Sequence, residues 1–356
     1  MKIKPVSGPH TRSSSHVTSI MMTVVAAALP ATLFGIYVFG WPALNLFLVT
    51  VTSALMFEYV CLRIAGNSAP ASVLRDGSAL LTGWLLAMTL PPWAPWWIGV
   101  VGSGIAIVVG KQVYGGLGQN VFNPAMLARI TLLISFPVEL TTWANVAPLF
   151  SEQAPDFIES LRITFSGLEQ ADAYTGASVL GQVKTELTQN RLLTDILTGG
   201  YQEKMAWLGF MRGSLGETSA FLVALGGIWL LIRGVISWHI PVSILTSVGL
   251  FASIFHWWDP EHYLSPWVHI SSGALVFVSF FIATDYVTSP NSVAGQLLFG
   301  VGCGLLIFVI RTWSGYPEGA GFAVLLMNAM TPLIDHYIKP RIYGRNRKGM
   351  PLEVKD

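Results

Sequence analysis

One heptapeptide carries the most specific chemistry in the chain. Asp172, Thr175, Gly176, Ala177 and Ser178 fit the pattern D-x-x-[ST]-G-A-[ST]. With ordinary residue usage, a chance match in a chain this long is on the order of a few per thousand. The small Gly176–Ala177 pair leaves the last hydroxyl sterically open, so an enzyme could bring a bulky phosphate donor to Ser178. The same residues also suit a local turn, in which Gly176 takes a positive φ and Asp172 or Thr175 caps the helix that follows.

Other polar residues stand out against apolar surroundings. In "GGLGQNVFNPAML", Gly115, Gly116 and Gly118 allow close backbone approach to a flat ligand. Asn120 and Asn123 are three apart, on neighbouring positions of one helical face. Carboxamides both donate to and accept from the edge of such a ligand. The alternative is helix entry, with Asn120 as cap and Pro124 in an early turn; both remain open on the residues alone. Asp76 opens an apolar segment and Asp285 closes another. Acids inside a membrane segment are functional candidates by default. An N-cap role accounts for Asp76, whereas Asp285 falls at a helix C-terminus, where the macrodipole disfavours an anion. Asp285 is therefore expected to help hold a cation or a polar group of such a flat ligand. Arg129 needs an acid partner or a route to the interface. His239, His256 and His269 lie near segment ends and read as interfacial. Cys61 and Cys303 sit in apolar runs as small hydrophobes; two cysteines do not ligate an iron–sulfur cluster.

The elements that position these residues are apolar. The 356-residue chain is 53% hydrophobic and 11% charged, against about 25% charged for an average soluble domain. No basic stripe interleaved with aromatics points to nucleic acid. Ten apolar spans are predicted, at 18–39, 42–62, 76–90, 97–113, 121–137, 218–232, 240–255, 268–286, 294–311 and 319–338. The third is short and carries Gly77 and Gly83. The expected organisation is a tail and first five-helix repeat over 1–137, a polar segment over 138–216, a second five-helix repeat over 217–338 and a basic tail over 339–356.

Lys and Arg set the orientation. Lys2, Lys4 and Arg12 precede the first span, and Lys339, Arg341, Arg345, Arg347, Lys348 and Lys355 follow the last. Both ends are therefore expected in the cytoplasm, which an even number of spans satisfies. Arg63, Arg75, Lys111 and Arg233 fall on the same side, and Arg311 is the exception. Five crossings place 138–216, and with it Ser178, outside. "GSALLTGWLLAMTLPP" echoes "GALVFVSFFIATDYVTSP", pairing Gly77 with Gly273, and a second echo pairs Asn123 with Asn328. Five spans per copy invert the second copy, as in many transporters. A channel or secondary transporter without a redox group is accordingly the competing function class.

The chain resembles the D subunits of Rnf ion-translocating electron-transport complexes. It is similar, more distantly, to the B subunit of the sodium-translocating NADH:quinone reductase. The most specific pieces are "LRDGSALLTGWLLAMTLPP", "GGLGQNVFNPAMLAR", "DAYTGAS" and "FFIATDYVTSP". The quinone-reductase subunit has a longer N-terminal extension, which favours the Rnf likeness. The resemblance implies an all-α polytopic fold of ten transmembrane helices, akin to urea and ammonium channels. It implies FMN joined through its phosphate to Ser178 by a flavin transferase acting outside the cytoplasm. The motif more often ends in Thr, and serine offers the same hydroxyl. It further implies a non-covalent riboflavin near Asn120 and Asn123. The other Rnf subunits would be partners, and the bacterial inner membrane the location. The expected activity is electron relay from ferredoxin to NAD coupled to Na+ or H+ movement, by the complex rather than by the chain alone.

Overall fold

The computed structural model describes residues 16–166, 175–176, 178–189, 191–193, 196, 203–316 and 318–340. Apolar helices dominate it. α1 (Val17–Phe39) and α2 (Trp41–Ile64) are joined at Gly40, whose φ of 78° reverses the chain, and Pro42 starts the first turn of α2. The 24 residues of α2 rise about 36 Å, enough for a hydrocarbon layer of about 30 Å. Among the described residues, five helices are long and apolar enough to cross a membrane: α1, α2, the helix over Trp96–Tyr114, and two more, His239–Trp258 and Val293–Trp313. The chain is a membrane protein.

The remaining apolar segments are shorter or broken. α3 (Pro70–Leu74) and α4 (Ser78–Thr89) are separated at Gly77, with φ 81°. α5 (Trp96–Gly104) continues as a π turn over Ile105–Val109. α6 (Pro124–Ser135) begins after its cap, Asn123. After the intervening segment come α11 (Ala220–Ile232), capped by Ser219, and α12 (His239–Trp258). α13 (Pro266–Ser271) stops before Gly273, with φ 71°, and α14 (Leu275–Phe277) continues as a second π turn over Val278–Ile282. α15 (Val293–Trp313) and α16 (Ala320–Tyr337) complete the bundle. Both breaks fall in segments read from sequence as spans, and a left-handed φ at each favours glycine. The glycines that the sequence echo pairs are the ones that break the helices.

Close helix contacts use small side chains, as lipid-embedded helices require. Gly300 and Gly304 of α15 face Ser243 and Ser247 of α12, where an added Cβ would meet those serines. The central core joins early and late helices: Leu86, Met88, Ile98, Met126, Phe277, Phe299 and Val324 are buried in one cluster.

The segment between α6 and α11 is short helices and loops: α7 (Pro137–Thr141), α8 (Phe157–Ser166), α9 (Val179–Thr188) and α10 (Glu203–Leu208). β1 (Trp143–Ala144) and β2 (Thr175–Gly176) form a two-residue antiparallel pairing, Trp143 opposite Gly176 and Ala144 opposite Thr175. α8 docks on the start of α2 through Asn45 and Ser160, 3.1 Å apart.

Candidate functional site

Two polar regions lie at opposite ends of α6. The first surrounds Ser178. The β1–β2 pairing fixes the backbone of Thr175 and Gly176 two residues ahead of it. Asp172 and Ala177 lie outside the described residues. Ser178 caps α9, its Oγ accepting from the Gly181 amide at 3.2 Å. The serine oxygen thus stands at the positive end of a ten-residue helix, a position that favours an attached anion. α9 is held in place by Lys184, whose Nζ donates to the carbonyls of Ile310 (3.1 Å), Arg311 (3.1 Å) and Tyr316 (2.8 Å). The first two carbonyls lie in the last turn of α15, where a cation is favoured, and Tyr316 follows just after it. Burial lowers the Lys184 pKa.

Ser178 lines two spaces. One is a cavity of about 40 Å³ whose walls include Arg129, Trp143, Glu217, Ser272 and Glu318. The other is a cleft of about 400 Å³ bounded by Trp143, Lys184, Thr188 and Ser314. Arg129 projects from α6 with its guanidinium 5.9 Å from the Trp143 ring centroid. Its Nη1 is buried without a hydrogen-bond partner, as is Ser272 Oγ. The acids nearby are engaged. Glu318 accepts from Arg311 at 2.9 Å, from the Ala274 amide at 3.2 Å and from the Ala320 amide at 3.0 Å. Glu217 accepts from Ser214 at 2.8 Å. It ends the 3-10 turn Leu215–Glu217, ahead of α11. Burial first, and then the Glu318 charge, push its carboxyl up to about 7.

The residues fit a phosphate-linked flavin. A hydroxyl at a helix N-terminus, a guanidinium with a free N–H and an aromatic-edged cleft share the walls around Ser178. FMN there would supply one- and two-electron redox chemistry. Ser178 would carry it, and Arg129, Lys184 and Trp143 would surround it.

The second region lies at the start of α6. Asn123, not Asn120, caps that helix, with its Oδ1 accepting from Met126 N at 3.2 Å. Pro124 at the first helical position makes the residue before it the cap. The Asn123 amide donates to Asn328 Oδ1 at 3.2 Å, and Asn328 Nδ2 donates to the Thr288 carbonyl at 3.0 Å. Asn120 bonds the Phe122 carbonyl at 3.1 Å and also Asp285. Asp285 further accepts from Val287 N and Thr288 Oγ1, so it caps a turn and does not sit in an uncompensated helix tail. A cavity of about 250 Å³ brings together Ser78, Lys111, Asn120, Asn123, Phe280 and Asp285. Asp76 stands one residue back, accepting from Ser78 N (2.7 Å) and Ser78 Oγ (2.6 Å).

Several residues here escape sequence reasoning. Lys111, a loop charge by sequence position, is 2% exposed and donates to Glu58 Oε1 at 2.8 Å and Ser78 Oγ at 2.7 Å. Glu58 lies inside α2, and an acid in an apolar run is a signal that could have found it. Arg311 is buried with Glu318, which explains its place against the charge rule. His269 is 3% exposed at the break before Gly273, not interfacial. Among the described residues no group of three or more His, Cys, Asp or Glu could hold a metal ion.

Comparison with known proteins adds an independent line. The sequence model of the NQR2, RnfD, RnfE family matches residues 5–344. The D subunit of the ion-translocating oxidoreductase complex of Halorhodospira halophila is 52% identical over 349 residues, 98% of each chain. Its namesake from Stutzerimonas stutzeri is 54% identical over 338 residues, 95% of each chain. That of Rhodobacter capsulatus is 48% identical over 317 residues, 89% of this chain and 87% of the other.

Proposed function

The chain belongs to the NQR2, RnfD, RnfE family, and from that premise we propose that it carries FMN on Ser178 as the D subunit of an ion-translocating oxidoreductase complex. The observation that carries the flavin is the position of Ser178: N-cap of α9, on the wall it shares with Arg129 and Trp143. Electrons pass through the attached flavin between neighbouring subunits of the complex, and their flow is coupled to movement of Na+ or H+. The chain alone does not turn over.

The fold proposed for this role is a 5+5 inverted repeat of ten spans. Its support is the pairing of break with break, Gly77 with Gly273. The buried cations follow the same relation, Lys111 at the end of the fourth span and Arg311 at the end of the ninth. In this arrangement the termini face the cytoplasm of a bacterial inner membrane. Ser178 then faces the periplasm, where a flavin transferase reaches it. The cavity at Asn120 and Asn123 is of a size and polarity for a second, non-covalent flavin. Asp285 lines it, and Asp76 is bonded to its wall residue Ser78; both are candidates for an ion path. The paired breaks alone favour a transporter without a redox group.

Colour separates the two. The full chain, made with its flavin transferase and denatured, should fluoresce in a gel and carry the mass of FMN on the Ser178 peptide. Ser178→Ala should be dark. A dark parent, or a fluorescent Ser178→Ala, removes the flavin assignment.

A further inference from the structure

We propose that Arg129 and Ser272 form the receiving site for the phosphodiester on Ser178, and that they thereby fix which side of α9 the flavin ring occupies. This rests on the covalent flavin assigned above.

Two buried donors face one small cavity without partners. Arg129 Nη1 and Ser272 Oγ each lack a hydrogen bond, and both residues line the cavity that Ser178 also lines. Ser272 is 6% exposed. A buried polar group left unpaired costs about 1–3 kcal/mol, and more when charged, so two such groups aimed at one space call for an occupant. Both donate, and a guanidinium matches a phosphoryl oxygen pair in charge and geometry. The anion would be tethered at the cap of α9, whose free amides add to the attraction.

Size assigns the parts. A cavity needs roughly 10–15 Å³ on this measure for each water-sized group. The space of about 40 Å³ therefore accepts a phosphoryl group and rejects a tricyclic ring. The cleft of about 400 Å³ that Ser178 also lines accepts the ring beside Trp143 and Lys184. Glu217 and Glu318 share the small cavity. Glu318 pairs with Arg311 and Glu217 accepts from Ser214; Arg129 feels the charge of both acids, yet its Nη1 hydrogen-bonds neither and stays available to a ligand. Arg129 acts here as a positioning residue.

The test uses the full chain flavinylated in cells and purified in nanodiscs, with flavin per chain measured first. Acrylamide quenching and time-resolved anisotropy of the bound flavin are then compared among the parent, Arg129→Gln, Arg129→Lys and Ser272→Ala. At equal flavin content, Arg129→Gln should at least double the quenching constant and shorten the anisotropy decay. Arg129→Lys should restore most of the parent behaviour, and Ser272→Ala should fall between. Equal quenching and anisotropy in Arg129→Gln and parent overturn the proposal while leaving the flavin on Ser178. If Arg129→Gln does not accumulate, Ser272→Ala decides: parent-like values overturn the proposal and raised quenching supports it. Melting supplies a second readout. Arg129→Gln should lower the midpoint in the flavinylated chain more than in the Ser178→Ala background, and equal losses in both overturn the proposal. A parent without flavin overturns this proposal and the assignment beneath it together.

Discussion

The buried Arg311 pairs with the part-buried Glu318 at 2.9 Å across the Gly273 break. The guanidinium also donates to the carbonyls of His269 (2.6 Å) and Ser272 (3.1 Å), the residues that close α13. The carboxylate accepts the Ala274 amide that opens the next helix. One pair therefore satisfies both ends of a broken helix, which lipid cannot do.

Removing one partner leaves the other charge buried. Arg311→Met should cost about 3–5 kcal/mol, read as a lower unfolding midpoint in detergent. Glu318→Gln should cost less, because an amide oxygen still accepts from Ala274 and Ala320. Equal losses would show that the charge, not the hydrogen bonding, holds the break.

Lys111 and Glu58 serve the other break. The ammonium reaches Glu58 and Ser78, and Ser78 in turn reaches Asp76. Lys111→Met alone should destabilise by about 3–5 kcal/mol. The pair Lys111→Met with Glu58→Leu should recover much of that loss, since an apolar pair has no charge to desolvate. A double-mutant cycle by thermal unfolding measures it.

The two break glycines should respond unequally to alanine. Each loses about 1–2 kcal/mol from the left-handed φ. At Gly77 the nearest atom to an added Cβ is Met21 Cβ at 3.3 Å, so little more is lost. At Gly273 the Cβ would run into the Glu318 carboxylate and the Arg311 guanidinium. Gly273→Ala should therefore melt well below Gly77→Ala.

Ser178→Thr should retain both cap and flavin, because threonine keeps the hydroxyl. In flavin-free protein, Ser178→Ala should still weaken the start of α9 by about 1 kcal/mol. Hydrogen exchange at the Gly181 amide, which Ser178 now protects, reports it.

Glu217 should make stability fall with pH. Its folded pKa, pushed up to about 7, lies above the ordinary 4.5. The stability it contributes is complete below the unfolded value and lost as pH rises through the folded one. Glu217→Gln should flatten the fall in unfolding midpoint between about pH 4.5 and 7, while keeping an acceptor for Ser214.

Periodicity and apolar length placed the five long apolar helices, which coincide with five of the ten expected spans. The short third span with its Gly77 pointed to one break; the break at Gly273 was not foreseen, although the echo paired the two glycines. The position of Ser178 at the start of a helix was legible because its motif is local. The cap of α6 was legible too, since Pro124 points to Asn123, yet Asn120 drew the assignment. The buried pairs were not. Lys111 and Glu58 are 53 residues apart, and no local rule joins a lysine beside a glycine-rich loop to an acid one helix away. Arg311 violated the charge rule, but only the tertiary fold shows that Glu318 answers it. The partnerless donors facing Ser178 belong to α6 and to the α13 break, and they meet only after folding.

Lys184 staples the helix bearing Ser178 to the Ile310 and Arg311 carbonyls of α15, both at 3.1 Å, and to the Tyr316 carbonyl just past its end at 2.8 Å. One ammonium thus couples the helix that carries the serine oxygen to the end of the longest helix of the second half.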